Sequence, residues 1–316
     1  MNGQFKNRPE FALIEWIRSR VRDRHPVTLG IGDDAACLKP STDRESLVAI
    51  DMLMEGVHFT FPPATPQLAG RKALAVNLSD IAAMAGRPVA AFVSVALPNN
   101  RGMDFARDLH EGVIRLADEY DVIIAGGDTN SWNGPLAISI TVVGEPFGSK
   151  PVCRSGALPG DWLFVTGALG GSLPSGRHLT FSPRIVEVRE LQKAVDLHAM
   201  IDISDGLAAD LHHVLKASNA GAVLDAARIP LTATALAASD GRTPLLHGLS
   251  DGEDFELLFA VSPEHGRLLQ SEWRELTPVT KIGEITERPG CVLHYPDGTA
   301  EPLDPIGWTH RFGEPE

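Results

Sequence analysis

The chain has 316 residues, 28 Lys+Arg against 41 Asp+Glu, a formal charge of −13, and 43% hydrophobic and 22% charged residues. That length suits two domains, and the composition is that of a folded chain, which excludes a mainly disordered one. The acidic surplus excludes a broad surface for nucleic-acid phosphates, and the longest apolar run, VAAFVSVAL at 89–97, is too short to cross a bilayer as a helix.

The N-terminal segment has the rhythm of an amphipathic helix, with Phe11, Ile14, Ile17 and Val21 on one side and arginines on the other. It contains no uninterrupted apolar stretch of the kind a secretory signal needs, so a cytoplasmic protein is expected. A strand at 46–51, a helix at 68–85, a strand at 89–97, a helix at 104–120 and a buried strand at 122–125 follow. Residues 136–143 alternate, with Leu136, Ile138, Ile140 and Val142 on one face, which predicts a half-buried strand. Three prolines and three glycines in 146–160 mark a break in composition. It divides the chain into a domain at 1–147 and a domain at 148–316. Beyond it come a strand at 161–166, a helix at 183–195, a strand at 199–203, a helix at 207–217, a strand at 255–261 and a helix from 263. Both halves are expected to be α/β. Cys37, Cys153 and Cys291 are far apart and without CxxC spacing, and read as buried thiols rather than a disulfide framework or zinc site.

The placement of the acidic residues carries the chemistry. A set of aspartates sits inside apolar or glycine-rich strings with no adjacent base: GIGDD (30–34), VAID (48–51), NLSDIAAM (77–84), IIAGGDT (123–129), IDISDG (201–206) and SDGEDFELLF (250–259). In an open α/β sheet, strand ends and the loops after them bind ligands, so these carboxylates are expected to converge. Converging carboxylates repel, and a raised pKa or a cation relieves them. Aspartates without His or Cys favour a hard ion such as Mg²⁺, which bridges carboxylates to phosphate oxygens. Each string alone also reads as a turn or a helix cap; Ser204 and Asp205 fit either role, Asp33 stays undecided, and Asp210 and Asp254 are assigned to structure.

TGALGGS (166–172) follows a strand and offers backbone N–H groups to an anion, but there is no GxxxxGK[ST], and neither HRD nor DFG occurs. His58, in EGVHF, is equally a structural histidine or a ligand contact. Arg154, in CRSG, has the planar fork of a phosphate clamp. Trp308, in GWTHRF, either plugs a core edge or stacks on a flat ring.

Taken in order, GIGDDAA, VAIDMLMEGVHF, KALAVNLSDIAAMAGRPVAAFVSVALP, GGDT, SGALPGDWLFVTG, IDISDGLAADL and GEDFELLF resemble the thiamine-monophosphate kinase family of the PurM-like (AIR synthetase-like) superfamily. The resemblance implies a two-domain α/β (α+β) fold whose N-terminal sheets pair across a homodimer into a β-barrel. It implies transfer of the ATP γ-phosphoryl group to thiamine monophosphate, giving thiamine diphosphate and ADP. Carried over by position, Asp34, Asp51, Asp80, Asp128, Asp202 and Asp205 would bind several Mg²⁺ ions. Gly127, Asp128, Arg154 and Ser204 would contact ATP, and His58, Glu253 and Trp308 the thiamine substrate. No residue is implied as a covalent nucleophile or general base. Two further readings are a sister PurM-like ATP-dependent enzyme and a non-catalytic nucleotide-binding paralogue.

Three features depart from the family pattern. Ala49-Ile50 replace the usual Ser-Thr before Asp51. Ser250-Asp251-Gly252-Glu253 replaces the usual GGED context, adding a carboxylate beside the substrate loop. The segment between Gly171 and Ser182 is shorter than expected, which bears on how a nucleotide is covered.

Overall fold

The apolar rhythm of the N-terminal segment folds as helix α1 (Pro9–Arg20). Its buried side chains are Leu13 and Ile17, four residues apart, packed with Ala106; Ile14 is only half-buried, and the Phe11 side chain lies outside the described residues. The structure, a computed structural model, describes residues 9–22, 24–31, 35–41, 43–274 and 277–309. It divides into two compact units, Met1–Ile81 with Gly86–Lys150, and Ala82–Ala85 with Pro151–Glu316.

The described residues of the first unit form a ribbon of β1 (Val27–Leu29) and β2 (Cys37–Leu38) and a four-stranded sheet. The sheet contains β3 (Leu47–Met54), β4 (Gly86–Pro98), β5 (Ile123–Trp132) and β6 (Ala137–Pro146), ordered β3-β6-β4-β5. Only β4 and β5 are parallel, and α3 (Met103–Glu119) supplies the crossover that a parallel pair requires. The predicted alternation on β6 holds: Leu136, Ile138, Ile140 and Val142 are fully buried and their neighbours are half-exposed. Edge strand β3 does the reverse on one face, leaving Val48 and Ile50 each 66% exposed and Met52 59% exposed.

Helix α2 (Pro66–Ala83) meets α3 through two glycines. A Cβ at Gly70 would stand 2.0 Å from Leu109 O, and one at Gly112 would stand 1.9 Å from Gln67 O. The backbones therefore touch where side chains would normally separate them, and glycine is required at both contacts.

The second unit is built on a seven-stranded sheet among its described residues, ordered β13-β12-β9-β11-β7-β10-β8. The strands are β7 (Trp162–Thr166), β8 (Ala199–Asp202), β9 (Gly221–Asp225), β10 (Leu257–Val261), β11 (Val279–Thr286), β12 (Gly290–His294) and β13 (Ala300–Pro302). Helices α4 (Ser172–Ser175), α5 (Ile185–Ala194), α6 (Leu207–Ser218), α7 (Ala233–Leu236), α8 (Pro244–Ser250) and α9 (Pro263–Glu272) connect them. Every residue of β10 is buried, as a strand covered on both faces should be. Leu207, Leu211, Val214 and Leu215 of α6 join Leu163, Val165, Leu258 and Ala260 in one apolar core.

Two expectations are corrected here. The sheets are mainly antiparallel, with β9–β12 the parallel pair of the second, so ligand groups need not gather at one set of strand ends. Among the cysteines only Cys291 is buried; Cys37, on the two-residue β2, and Cys153, in the proline- and glycine-rich segment, are exposed.

Gly112→Ala tests the helix contact. The variant should lose about 1–3 kcal/mol of stability by overpacking, read as a lower urea midpoint at unchanged slope. A loss below about 0.5 kcal/mol would show that the backbones do not meet at this point.

Candidate functional site

In the first unit Asp51 sits mid-strand on β3, opposite Ile140, and Asp80 sits on α2. Burial raises the pKa of Asp51, and a side-chain hydrogen bond with Asp80 opposes that rise in part. On the same helix Asn77 Nδ2 donates to Ala73 O at 3.1 Å, while its Oδ1 is buried with no partner among the described residues. Asp34 lies outside the described residues; Gly30 and Ile31 before it, and Ala35 and Ala36 after it, line one cavity of about 620 Å³.

Gly126, Gly127, Asp128 and Thr129 line that cavity too. The strand was expected to stop at Ala125, yet β5 continues through GGDT to Trp132. Gly127 is the reason, because a Cβ there would lie 1.9 Å from Val93 O and the parallel neighbour could not approach. The register skips between Ala91 and Phe92, so the strand is bulged just where Gly126 begins this stretch. Asp128 is exposed and accepts from Asn130 Nδ2 at 2.7 Å.

His58 is half-buried in the turn after β3. Its Nδ1 accepts from Met54 N at 3.0 Å, and its carbonyl accepts from Lys72 Nζ at 2.8 Å. Lys72, with 0% exposure, escaped sequence reading, although a single cation in the apolar run KALAVNL is the signal that marks it.

In the second unit the structure gathers Asp202, Ser204, Asp205, Glu253 and Trp308. Asp202 ends β8, and the next residues run beside 253–256: Ile203 N donates to Glu256 O at 2.7 Å, Glu253 N to Ser204 O at 2.7 Å, and Phe255 N to Ile203 O at 2.8 Å. This pairing needs left-handed backbone at Gly252, Glu253 and Phe255, with φ of 71°, 57° and 50°. Trp308 N donates to Asp205 O at 2.9 Å, and a Cβ on Gly307 would come within 2.4 Å of that oxygen, so residues 307 and 308 are docked on the aspartate loop.

Asp210, assigned to structure, fixes the loop. Its Oδ2 accepts from the N–H groups of Ser204, Asp205 and Gly206 at 3.0, 3.0 and 3.2 Å. Its pKa is pushed up to about 8 by burial and then by the charges of Asp202 and Asp205. Arg154 stands apart: its carbonyl accepts from Ser218 Oγ at the last turn of α6, whereas Asp205 precedes the first, about 18 Å away along the helix.

The glycine loop at 166–172 spends its donors internally. Gly170 N bonds the Asp254 carboxylate at 2.9 Å and Gly171 N bonds Asp251 at 2.9 Å, so these N–H groups do not face an external anion. Asp251 lies 2.9 Å from His247 Nδ1 and 2.8 Å from Arg242, whose guanidinium pairs with its charge. Sequence reading also missed a buried network: Glu256 accepts from Thr166 Oγ1 at 2.6 Å, Arg177 at 2.5 Å, and Arg184 at 2.6 and 2.7 Å. The charge beside it raises the Arg184 pKa against the effect of burial.

Among the described residues no group of three or more His, Cys, Asp or Glu side chains is arranged to hold a metal ion alone. The donors are nevertheless all oxygen, and Asp51 and Asp80 set two carboxyl groups against each other, so these residues fit a hard divalent ion.

The AIR synthase related protein N-terminal domain family matches residues 32–145, and its C-terminal domain family matches residues 159–296. The chain is 42% identical over 311 residues to the thiamine-monophosphate kinase of Rhodopirellula baltica, covering 95% of this chain and 97% of that one. This chain belongs to the thiamine-monophosphate kinase family. The crystal structure of the family member from Stenotrophomonas maltophilia superposes with a TM-score of 0.78 at 33% identity, over 92% of this chain and 98% of that one. AaThiL complexed with AMPPCP and TMP superposes at 0.74 with 31% identity, over 96% and 97%. The PurM-like two-domain fold of the family is thereby the fold of this chain.

Asp254 supplies a pH test. Burial pushes its pKa from 3.8 up to about 7, so the folded chain holds a proton there that the unfolded chain releases above about pH 4. The stability it contributes is full below pH 4 and is lost as pH rises through about 7. Urea midpoints of the wild type minus those of Asp254→Asn should therefore fall between pH 5 and pH 8; a constant difference would refute the shift.

Proposed function

We infer that this chain transfers the γ-phosphoryl group of ATP to thiamine monophosphate, giving thiamine diphosphate and ADP. The observation that carries this is the AaThiL complex with AMPPCP and TMP, a relative aligned over 96% of the chain. The carboxylate pairs described above support it independently, because two phosphate-bearing substrates can meet only where their repulsion is relieved. Asp51 with Asp80, Asp128, and Asp202 with Asp205 are the residues that would hold Mg²⁺, with Asp34 as a further ligand. When bound, Mg²⁺ would neutralise phosphate oxygens.

The acceptor oxygen is anionic at neutral pH, so the reaction requires no strong general base. The work left to the chain is positioning, and direct in-line transfer without a phospho-enzyme follows. Gly127 and Asp128 sit at the cavity where the nucleotide is read to bind, with Ser204 and Arg154 as further ATP contacts; His58, Glu253 and Trp308 are read as thiamine contacts. Arg154, anchored at the far turn of α6, is supported here by sequence resemblance alone.

The exposed stripe Val48, Ile50 and Met52 on edge strand β3 supports a homodimer formed through the first sheet, since an apolar edge in water templates further pairing. No helix among the described residues is long and apolar enough to cross a membrane, and a cytoplasmic setting belongs to this same reading. Neither reading involves a nucleic acid.

Incubation with Mg²⁺, ATP and thiamine monophosphate should yield thiamine diphosphate and ADP, and EDTA should abolish both. Asp128→Asn should lower kcat at least about 100-fold while leaving the urea midpoint unchanged, because the side chain is exposed. Near-normal turnover at saturating Mg²⁺ would remove Asp128 from the metal site, and ADP release with some other acceptor would favour a sister enzyme. Ile50→Lys should convert the dimer to monomers by light scattering; an unaltered mass excludes β3 from the interface.

A further inference from the structure

The cavity of about 620 Å³ is lined by residues 124–129 of the edge strand β5 and by Phe92, Val93 and Ser94 of its partner β4. The walls are largely aliphatic, with Ile14 and Ile17 from α1 and Ile31 and Ala36 from the chain around the ribbon. Such walls suit a flat heteroaromatic ring. One imidazole is buried in them: His110 of α3, which is 4% exposed and lines the cavity.

His110 Nδ1 lies 2.9 Å from Ala106 O. A carbonyl oxygen can only accept, so Nδ1 carries the proton and Nε2 carries the lone pair. Burial lowers the pKa of the imidazole, the Ala106 bond opposing it, so the ring is neutral at pH 7 and Nε2 stays an acceptor. No described residue donates to Nε2. An unpartnered acceptor on a residue that lines a cavity selects a ligand that brings a donor to it.

We propose that His110 reads the nucleotide base, its Nε2 accepting a hydrogen bond from the exocyclic amino group of an adenine ring held between the aliphatic walls. This rests on the reading of Gly127 and Asp128, which line the same cavity, as nucleotide contacts. A base with a carbonyl in place of that amine sets an oxygen lone pair against the Nε2 lone pair, so hypoxanthine is refused by repulsion as well as by a missing bond. The aminopyrimidine of thiamine carries the same kind of amine, and the experiment has to separate the two sources.

Calorimetric binding of Mg-ATP and Mg-ITP to the wild type, His110→Leu and His110→Gln separates them. The wild type should bind ATP roughly tenfold more tightly than ITP. His110→Leu should bring that ratio near one, chiefly by weakening ATP. His110→Gln, whose amide turns to offer either an acceptor or a donor, should bring it near one while keeping ATP affinity, and stands in if the leucine variant does not fold. An unchanged ratio in a folded variant overturns the proposal, and so does a wild-type ratio of one. Weakened thiamine monophosphate binding with intact ATP binding overturns it as well, by giving the amine to the aminopyrimidine. A chain that prefers ATP through His110 and forms no thiamine diphosphate keeps this assignment and refutes the acceptor; one that forms thiamine diphosphate with equal affinity for both nucleotides does the opposite.

Discussion

The second unit depends on one buried carboxylate. Glu256, 1% exposed, would destabilise the fold if left without partners, since a charge removed from water costs several kcal/mol unless it is paired. Thr166, Arg177 and Arg184 surround it, and its main-chain carbonyl holds Ile203. The end of β7, the start of β10 and the aspartate loop are thus pinned at one residue. Gly167 exists to leave it room, because a Cβ there would stand 2.2 Å from Glu256 Oε1. The segment between Gly171 and Ser182 is held by the same hub: it is α4 and one 3-10 turn, with Arg177 fastened to Ala168 O and Asp254 O at 2.8 Å.

Around that hub the acidic residues fall into two kinds. Asp210, Asp251 and Asp254 are consumed by backbone N–H groups, a histidine and arginines, and they shape loops. Asp51 and Asp80 are matched with each other. Like charges set side by side are stable only with a proton or a cation between them, so any cation binding there competes with protons and its affinity rises with pH.

Much of this was legible in the residues. The period-two pattern at 136–143 named a strand face by face, and the helices at 66–83 and 103–119 were read to within two residues because their apolar rhythm is sustained. β9 and β11 to β13 escaped because VTKIGEIT and GCVLH are short, carry glycine or charge, and acquire their burial from neighbours far away in sequence. The extension of β5 through two glycines was hidden for a related reason: glycine ordinarily punctuates a strand, and only the closeness of Val93 turns it into a requirement. The sequence left the glycine loop open as an anion site and gave no partner for Asp251, because which partner takes a donor is a tertiary fact. His247 and Arg242 lie within nine residues of Asp251 in the chain, but nothing in their spacing announces the contact.

Glu253 carries a conflict between its backbone and its side chain. Its backbone occupies the left-handed region at φ 57°, where a side chain costs on the order of 1 kcal/mol or more and glycine costs almost nothing. The residue before it is already glycine. On backbone cost alone glycine would be the more stable residue at 253, so the chain carries at this one position a strain that the removal of a side chain would relieve.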